Sequence, residues 1–355
     1  MEVAGCEPGE VRWTWPRAGG LLSRALEHRV GRFVKSHLPF LESLGTFALA
    51  TVLAGCAGRP RLVAEASAPG ASEVRWACHD SLLVVALGGW GVSLIESGSG
   101  RERAGSRLPE IPSHSAHGLA VSGAGETLAV ATADSVRVFA TRDLRPLFAA
   151  AGNAATLALS ADGSRLLWTD GAFGQLLDVG SGRATWQGLL GGGPGSLQWA
   201  EALEKFVVPL DLRVVSAGED GEPSFTLDVF EDARPWKLSL SATGRTLAVA
   251  ESTMHVSVWD LPTRHFRRRL VLGGAGRFEK LALSPDGQLL ATSLGARARV
   301  LWVRSGHTAA DWAPHEGSTV EDLAFAADGS RLATVGGNGT VRTWAMPAAT
   351  GHFPR

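Results

Sequence analysis

The chain has 355 residues, 45% of them hydrophobic and 19% charged, with 34 basic side chains against 35 acidic ones. Those proportions exclude a disordered chain, and the length allows one large all-β domain or two ordinary ones. The near-neutral balance gives no basis for a nucleic-acid partner, and 44 glycines suit a fold rich in tight turns.

Residues 1–37 form an upstream segment. Within it GLLSRALEHRVGRFVKSH, residues 20–37, sets Leu22, Leu26, Val30 and Phe33/Val34 on one helical stripe, with Arg24, Arg29 and Arg32 off it. That is an amphipathic basic helix if it is translated. The alternative is a later start, at Val30 or Val34, with the segment a mis-annotated beginning. Residues 38–55 read as the apolar part of a signal peptide. Positions 44–55 carry no charge, and Arg29, Arg32 and Lys35 lie just upstream. Twelve residues fit a signal core of about 7–15 and fall short of the roughly 20 that a membrane helix needs.

The run ends in Leu53-Ala54-Gly55-Cys56. This resembles a lipobox, the site at which bacterial lipoproteins are processed. The resemblance implies a diacylglycerol on the Cys56 thiol, cleavage before it, and acylation of the new amino terminus. A chance cysteine after an ordinary secretory signal, or a buried apolar segment, is the other reading. Only Cys6, Cys56 and Cys78 are present. With Cys56 lipidated and Cys6 removed, Cys78 has no disulfide partner and reads as a buried, inert thiol. Residues 56–61 are a short tether: Cys56 to Leu62 spans at most about 20 Å. Ala57 stands where an inner-membrane retention signal would usually show Asp. The resemblance therefore points to a lipid anchor in the cell envelope, in the outer membrane facing the periplasm in a Gram-negative host.

Residues 62–346 repeat. One unit starts at each of Val74, Leu119, Leu157, Leu197, Leu238, Leu281 and Leu323, at spacings of 38 to 45 residues. Six residues on stands Gly125, Gly163, Gly244, Gly287 or Gly329, preceded in three units by Asp162, Asp286 or Asp328. Twenty or 21 residues on stands Ile95, Phe139, Leu177, Trp259, Trp302 or Trp344. Each unit reads as strand, Asp-Gly hairpin of two residues, strand, short loop, strand, with an outer strand such as PLFAA at 146, RATWQGL at 183 or FRRRLVL at 266. A sheet of about 40 residues cannot cover both faces alone; sheets stacked around an axis cover one another. The expectation is an all-β, seven-bladed propeller of four-stranded antiparallel blades. The last unit runs out near Met346, and RLVAEAS at 61–67 can supply its outer strand, closing the ring by pairing the chain ends. Blade four is irregular, with SAGEDGEPS in a longer hairpin. Residues 347–355 are a tail.

These units resemble the WD-repeat propellers. The match to that family's signature is partial: Trp259-Asp260 is the one Trp-Asp pair, Asn338 stands where the family has Asp, and no Gly-His pair opens a repeat. The family's buried Asp-His-Ser-Trp network is accordingly not expected.

Four acidic residues, Asp134, Asp170, Asp211 and Glu251, fall at the ends of second strands in consecutive units and would lie on one rim. They read as a cation site or a receptor for a basic partner, or as carboxylates that accept local backbone bonds at strand ends. His114, His117 and His315 lack a fourth ligand for a closed zinc site. In RHFRRR, residues 264–269, Arg264, Arg267, Arg268 and Arg269 surround Phe266. They read as a contact for phosphates or lipid headgroups, or as a solvated face. LLGGGPGS, 189–196, lacks the Lys-Ser/Thr of a phosphate loop and reads as a connection between blades. No nucleophile–base pair, metal site or cofactor motif is found. Arg outnumbers Lys by 30 to 4, which reads as coding bias. The function expected is a membrane-anchored envelope lipoprotein that binds or scaffolds another envelope protein. The alternative is a propeller enzyme, lactonase-like or another hydrolase, with the acidic set holding a metal.

Overall fold

The computed structural model describes residues 59–87, 91–103, 118–132, 134–190, 197–210, 213–217, 223–228, 235–251, 254–272 and 280–346. The expectations for the signal segment, Cys56, His114, His117, Asp211, residues 191–196 and the tail lie outside them.

The chain is a β-propeller of antiparallel blades. Strand β1 (Arg61–Ser67) comes first. The next sheet has three strands, β2 (Ala71–Ala77), β3 (Leu82–Leu87) and β4 (Gly91–Glu96). Five four-stranded sheets follow in chain order. They are β5 (Gly118–Val121), β6 (Thr127–Ala131), β7 (Ser135–Ala140) and β8 (Arg145–Ala151); β9 (Thr156–Leu159), β10 (Arg165–Thr169), β11 (Phe173–Asp178) and β12 (Ala184–Leu189); β13 (Gln198–Ala200), β14 (Lys205–Leu210), β15 (Arg213–Ala217) and β16 (Pro223–Asp228); β17 (Lys237–Leu240), β18 (Thr246–Ala250), β19 (His255–Asp260) and β20 (His265–Val271); and β21 (Lys280–Leu283), β22 (Leu289–Leu294), β23 (Arg297–Trp302) and β24 (Thr308–Trp312). The last sheet is β25 (Val320–Phe325), β26 (Arg331–Gly336) and β27 (Thr340–Ala345), completed on the outside by β1.

The count of four-stranded blades is therefore six among the described residues, and seven was expected. In the first unit, residues 101–103 reach the outer position beside β4 but make only an isolated bridge, Ile95 to Glu102. Glu96 N–H donates to Arg101 O and Arg103 N–H to Leu94 O, both at 2.9 Å. The pairing is too short to form a strand. The outer strands expected at PLFAA, RATWQGL and FRRRLVL are β8, β12 and β20, and β1 pairs with β27 from Arg61–Ala345 to Ser67–Thr340.

The core lies between sheets. Leu128 and Val130 of β6 meet Val84 of β3 and Val92 of β4, and Leu290 of β22 meets Val256 and Val258 of β19. One cluster joins Ala333 and Val335 of β26 to Val85 and Leu87 of β3. The inner strands touch in sequence: β2 with β5, β5 with β9, β9 with β13, β13 with β17, β17 with β21, β21 with β25, and β25 with β2. No helix among the described residues is long and apolar enough to cross a membrane.

The first hairpin of each unit is longer than the two residues expected. Gly125 N–H donates to Ser122 O, and Ser122 N–H to Thr127 O, so residues 123–126 form the loop. The same turn recurs at Ser160–Gly163, Ser241–Gly244, Ser284–Gly287 and Ala326–Gly329. Its last residue takes positive φ, 74° at Gly125 and 66° at Gly244, where glycine has no steric penalty. A Cβ on Gly125 would also stand 2.4 Å from the Cys78 nitrogen of the preceding sheet. The Asp before such a glycine serves the loop: Asp162 accepts from Ser164 N–H at 3.0 Å.

Candidate functional site

The inner strands enclose a channel of about 850 Å³. In six of the seven units the residue before the repeat's first apolar position lines it: Glu73, Gly118, Thr156, Lys237, Lys280 and Asp322. Five of the units latch to the next through a side-chain acceptor on the inner strand. Asp322 Oδ2 accepts from Val74 N–H at 3.1 Å, Glu73 Oε2 from Leu119 N–H at 3.1 Å, and Thr156 Oγ1 from Leu197 N–H at 3.5 Å. Two residues further along the strand, Gln198 Oε1 accepts from Leu240 N–H at 2.6 Å and Ser239 Oγ from Leu283 N–H at 2.8 Å. Inner strands are sheet edges, and their free N–H groups need such partners when they are buried.

Charge gathers at one side of this channel. The Arg75 guanidinium bridges Asp322, at 2.6 Å, and Glu73, at 3.3 Å, and also donates to Val74 O. Burial pushes the Glu73 carboxyl up, against the pull of Arg75 and reinforced by Asp322. At Asp322 burial acts the same way, but Arg75, Lys237 and Lys280 outweigh it and hold the carboxyl below its ordinary range. Burial pushes the Lys237 ammonium down. Glu201 stands on the 3-10 turn Glu201–Leu203 and accepts from Trp199 Nε1 at 2.7 Å. Sequence reasoning passed over Glu73, Arg75, Lys237, Lys280 and Asp322. A signal existed: two of only four lysines fall at the same register of consecutive units.

The acidic residues singled out by sequence have local roles. Asp134 is exposed and accepts from Thr132 and Ser135, which hold its carboxyl below the usual range. Asp170, also exposed, accepts from the N–H groups of Ala172 and Phe173, with the same effect. Glu251 is 1% exposed and meets Arg269 at 2.6 Å. No three His, Cys, Asp or Glu among the described residues stand together as a metal site. In RHFRRR, Arg267 pairs with Asp260 and Arg269 with Glu251, Arg268 donates to Ser305 O, and Arg264 lies 4.4 Å above the Phe225 ring. Cys78 is a free thiol, partly buried, and burial raises its pKa.

His315 belongs to a relay that the partial WD-repeat match gave no reason to expect. It lies between β24 and β25 and is fully buried against the last sheet. Trp344 Nε1 donates to Thr334 Oγ1, which faces His315 Nε2 at 2.9 Å; His315 Nδ1 faces Thr340 Oγ1 at 2.7 Å, and Thr340 donates to Asn338 Oδ1. Thr340 gives its own proton to Asn338 Oδ1 and so accepts from Nδ1–H, which leaves Nε2 of the neutral ring to accept from the Thr334 hydroxyl. With Asn338, Thr340 and Thr334 as its members, this relay is not the family's Asp-His-Ser-Trp network.

The fold and this channel define a β-propeller whose inner strands are latched by side chains and carry charge on one side. A family model described as a domain of unknown function (DUF7165) matches residues 228–342, from the end of β16 into β27. No curated protein matches the chain.

Proposed function

We propose that this protein is a bacterial envelope lipoprotein, anchored through acylated Cys56, whose propeller binds or scaffolds another envelope protein. The propeller itself carries this reading: sheets joined by apolar clusters and latches make a rigid scaffold on which loops present a contact surface. The lipobox-like run before Cys56 supports the anchor and, with it, membrane lipid as a partner. Seven sheets whose inner strands touch in sequence support a closed seven-membered ring with β2–β3–β4 as its three-stranded member. The His315–Trp344 relay supports kinship with WD-repeat propellers. The alternative of a metal hydrolase gains no support from Asp134, Asp170 and Glu251, whose carboxylates are engaged with neighbours.

The test separates anchor from binding. The wild-type chain should partition with membranes and Cys56→Ala should appear in the soluble fraction, with an acylated Cys56 peptide in the wild type alone. A partner recovered at fixed stoichiometry by both forms would establish the binding role. Equal partitioning of both forms would remove the anchor, and recovery of no partner from solubilised membranes would remove the scaffold.

A further inference from the structure

Lys237 and Lys280 occupy the latch position of consecutive units. In three other units that position holds an acceptor, Asp322, Glu73 or Thr156, which takes the next strand's N–H. An ammonium only donates, so neither lysine can serve the latch. Neither makes a hydrogen bond or ion pair among the described residues.

The neighbouring backbone sharpens the point. Val74 pairs with Val85, and Leu119 with Val130, and both anchor N–H groups point at a latch acceptor. Leu281 pairs with Thr292, and Leu323 with Thr334, in the same register. Their N–H groups therefore face the channel beside Lys237 and Lys280 and receive no side-chain acceptor among the described residues. Two ammonium groups and two backbone donors converge where the fold elsewhere supplies oxygen. The nearest carboxylates, Asp322 and Glu73, are spent on Arg75 and on the N–H groups of Val74 and Leu119. Arg75 is thereby matched by Glu73 and Asp322, while the ammonium groups of Lys237 and Lys280 have no hydrogen-bonded carboxylate among the described residues.

We propose that Lys237 and Lys280, with the N–H groups of Leu281 and Leu323, form a binding site in the channel for a small ligand bearing a carboxylate or phosphate group. The bound oxygens replace the missing acceptors, completing two latches and pairing the two ammonium groups. Binding to the folded form alone raises its stability with ligand concentration.

Thermal unfolding and titration calorimetry on the detergent-solubilised full chain test this, with sodium phosphate and sodium succinate as probes and sodium chloride at matched ionic strength. A saturable rise in Tm with phosphate or succinate, absent with chloride, is expected; which probe acts assigns the group. Lys237→Gln and Lys280→Gln should each weaken that response at least tenfold. Their Tm without anion should hold or rise, because the glutamine carbonyl can accept the orphaned N–H. Lys205→Gln removes the same charge from outside the channel and should leave the response intact. No response to either probe beyond chloride, or an undiminished response in the Lys237→Gln/Lys280→Gln double variant, overturns the proposal.

Discussion

The hydrogen-bond relay makes His315 depend on staying neutral, because a second ring proton would take from the Thr334 hydroxyl the Nε2 acceptor of its own proton. Burial, and next the Arg342 charge, push its pKa down to about 4 from 6.5. The unfolded chain thus takes a proton near pH 6.5 that the folded one refuses until about pH 4. Stability falls as pH drops through that window, by on the order of 3 kcal/mol, and is level in this group below it. His315→Gln should flatten the dependence of Tm on pH between 6.5 and 4, read by thermal unfolding across buffers. Asp260 acts in a different window. The Thr263 hydroxyl and then Arg267, against burial, hold its carboxyl at about 2, so its contribution is present above pH 3.8 and lost toward 2. Glu251 supplies a third expectation. Its side chain is fully buried and paired with Arg269, so Arg269→Met strands the carboxylate and should cost about 3–5 kcal/mol in denaturant unfolding.

The latches and turns act on whole strands. Asp322 joins β25 to β2 through Val74 N–H and Arg75 at once, so Asp322→Ala orphans a backbone donor and a guanidinium together. A loss of about 2–4 kcal/mol is expected from urea midpoints, reduced from a fully buried pair because Arg75 is partly open to the channel. At the end of β26, a Cβ on Gly336 would stand 2.5 Å from His315 Cγ and 2.6 Å from Asn338 Oδ1. Gly336→Ala should cost about 1–3 kcal/mol by overpacking and should remove the His315 pH step as the ring is displaced. Strand order and the outer strands were legible because glycine and tryptophan recur at fixed offsets, and those offsets report φ and burial directly. The latches were not. An acceptor such as Asp322 or Ser239 reads as an ordinary strand polar until the next strand's N–H is placed against it, some 40 residues away in sequence. The partners of His315 were hidden for the same reason: Thr334 and Thr340 carry no signature apart from the ring they surround. The turns were longer than Asp-Gly suggested because Gly125 and its equivalents close a Ser-to-Gly turn and do not sit at the hairpin tip.

Across the whole molecule, the first sheet was overdrawn. Repeat spacing promised it a fourth strand, yet among the described residues 101–103 make only one bridge, with Arg103 N–H on Leu94 O. The pairing of β1 with β27 was readable from a last unit that ends early. Asp80 and Arg331 reinforce the same seam: Asp80 accepts from Ala327 and Asp328 N–H, and Arg331 donates to Asp80 O and Ser97 Oγ while its guanidinium covers the Trp76 ring. Deleting Arg61–Ser67 should expose β27 as an edge and convert a single cooperative unfolding transition into a broadened one with concentration-dependent aggregation, followed by calorimetry and light scattering. The β1–β27 pairing also sets a timetable. Ser67 and its partner Thr340 are about 270 residues apart, which at about 5–20 residues per second is roughly 14 to 54 s of synthesis. The earliest of these strands to be made is thus the last to be satisfied. A chain interrupted anywhere short of Thr340 keeps it unmatched however well the intervening sheets have formed, so this seam cannot zip before β27 is made.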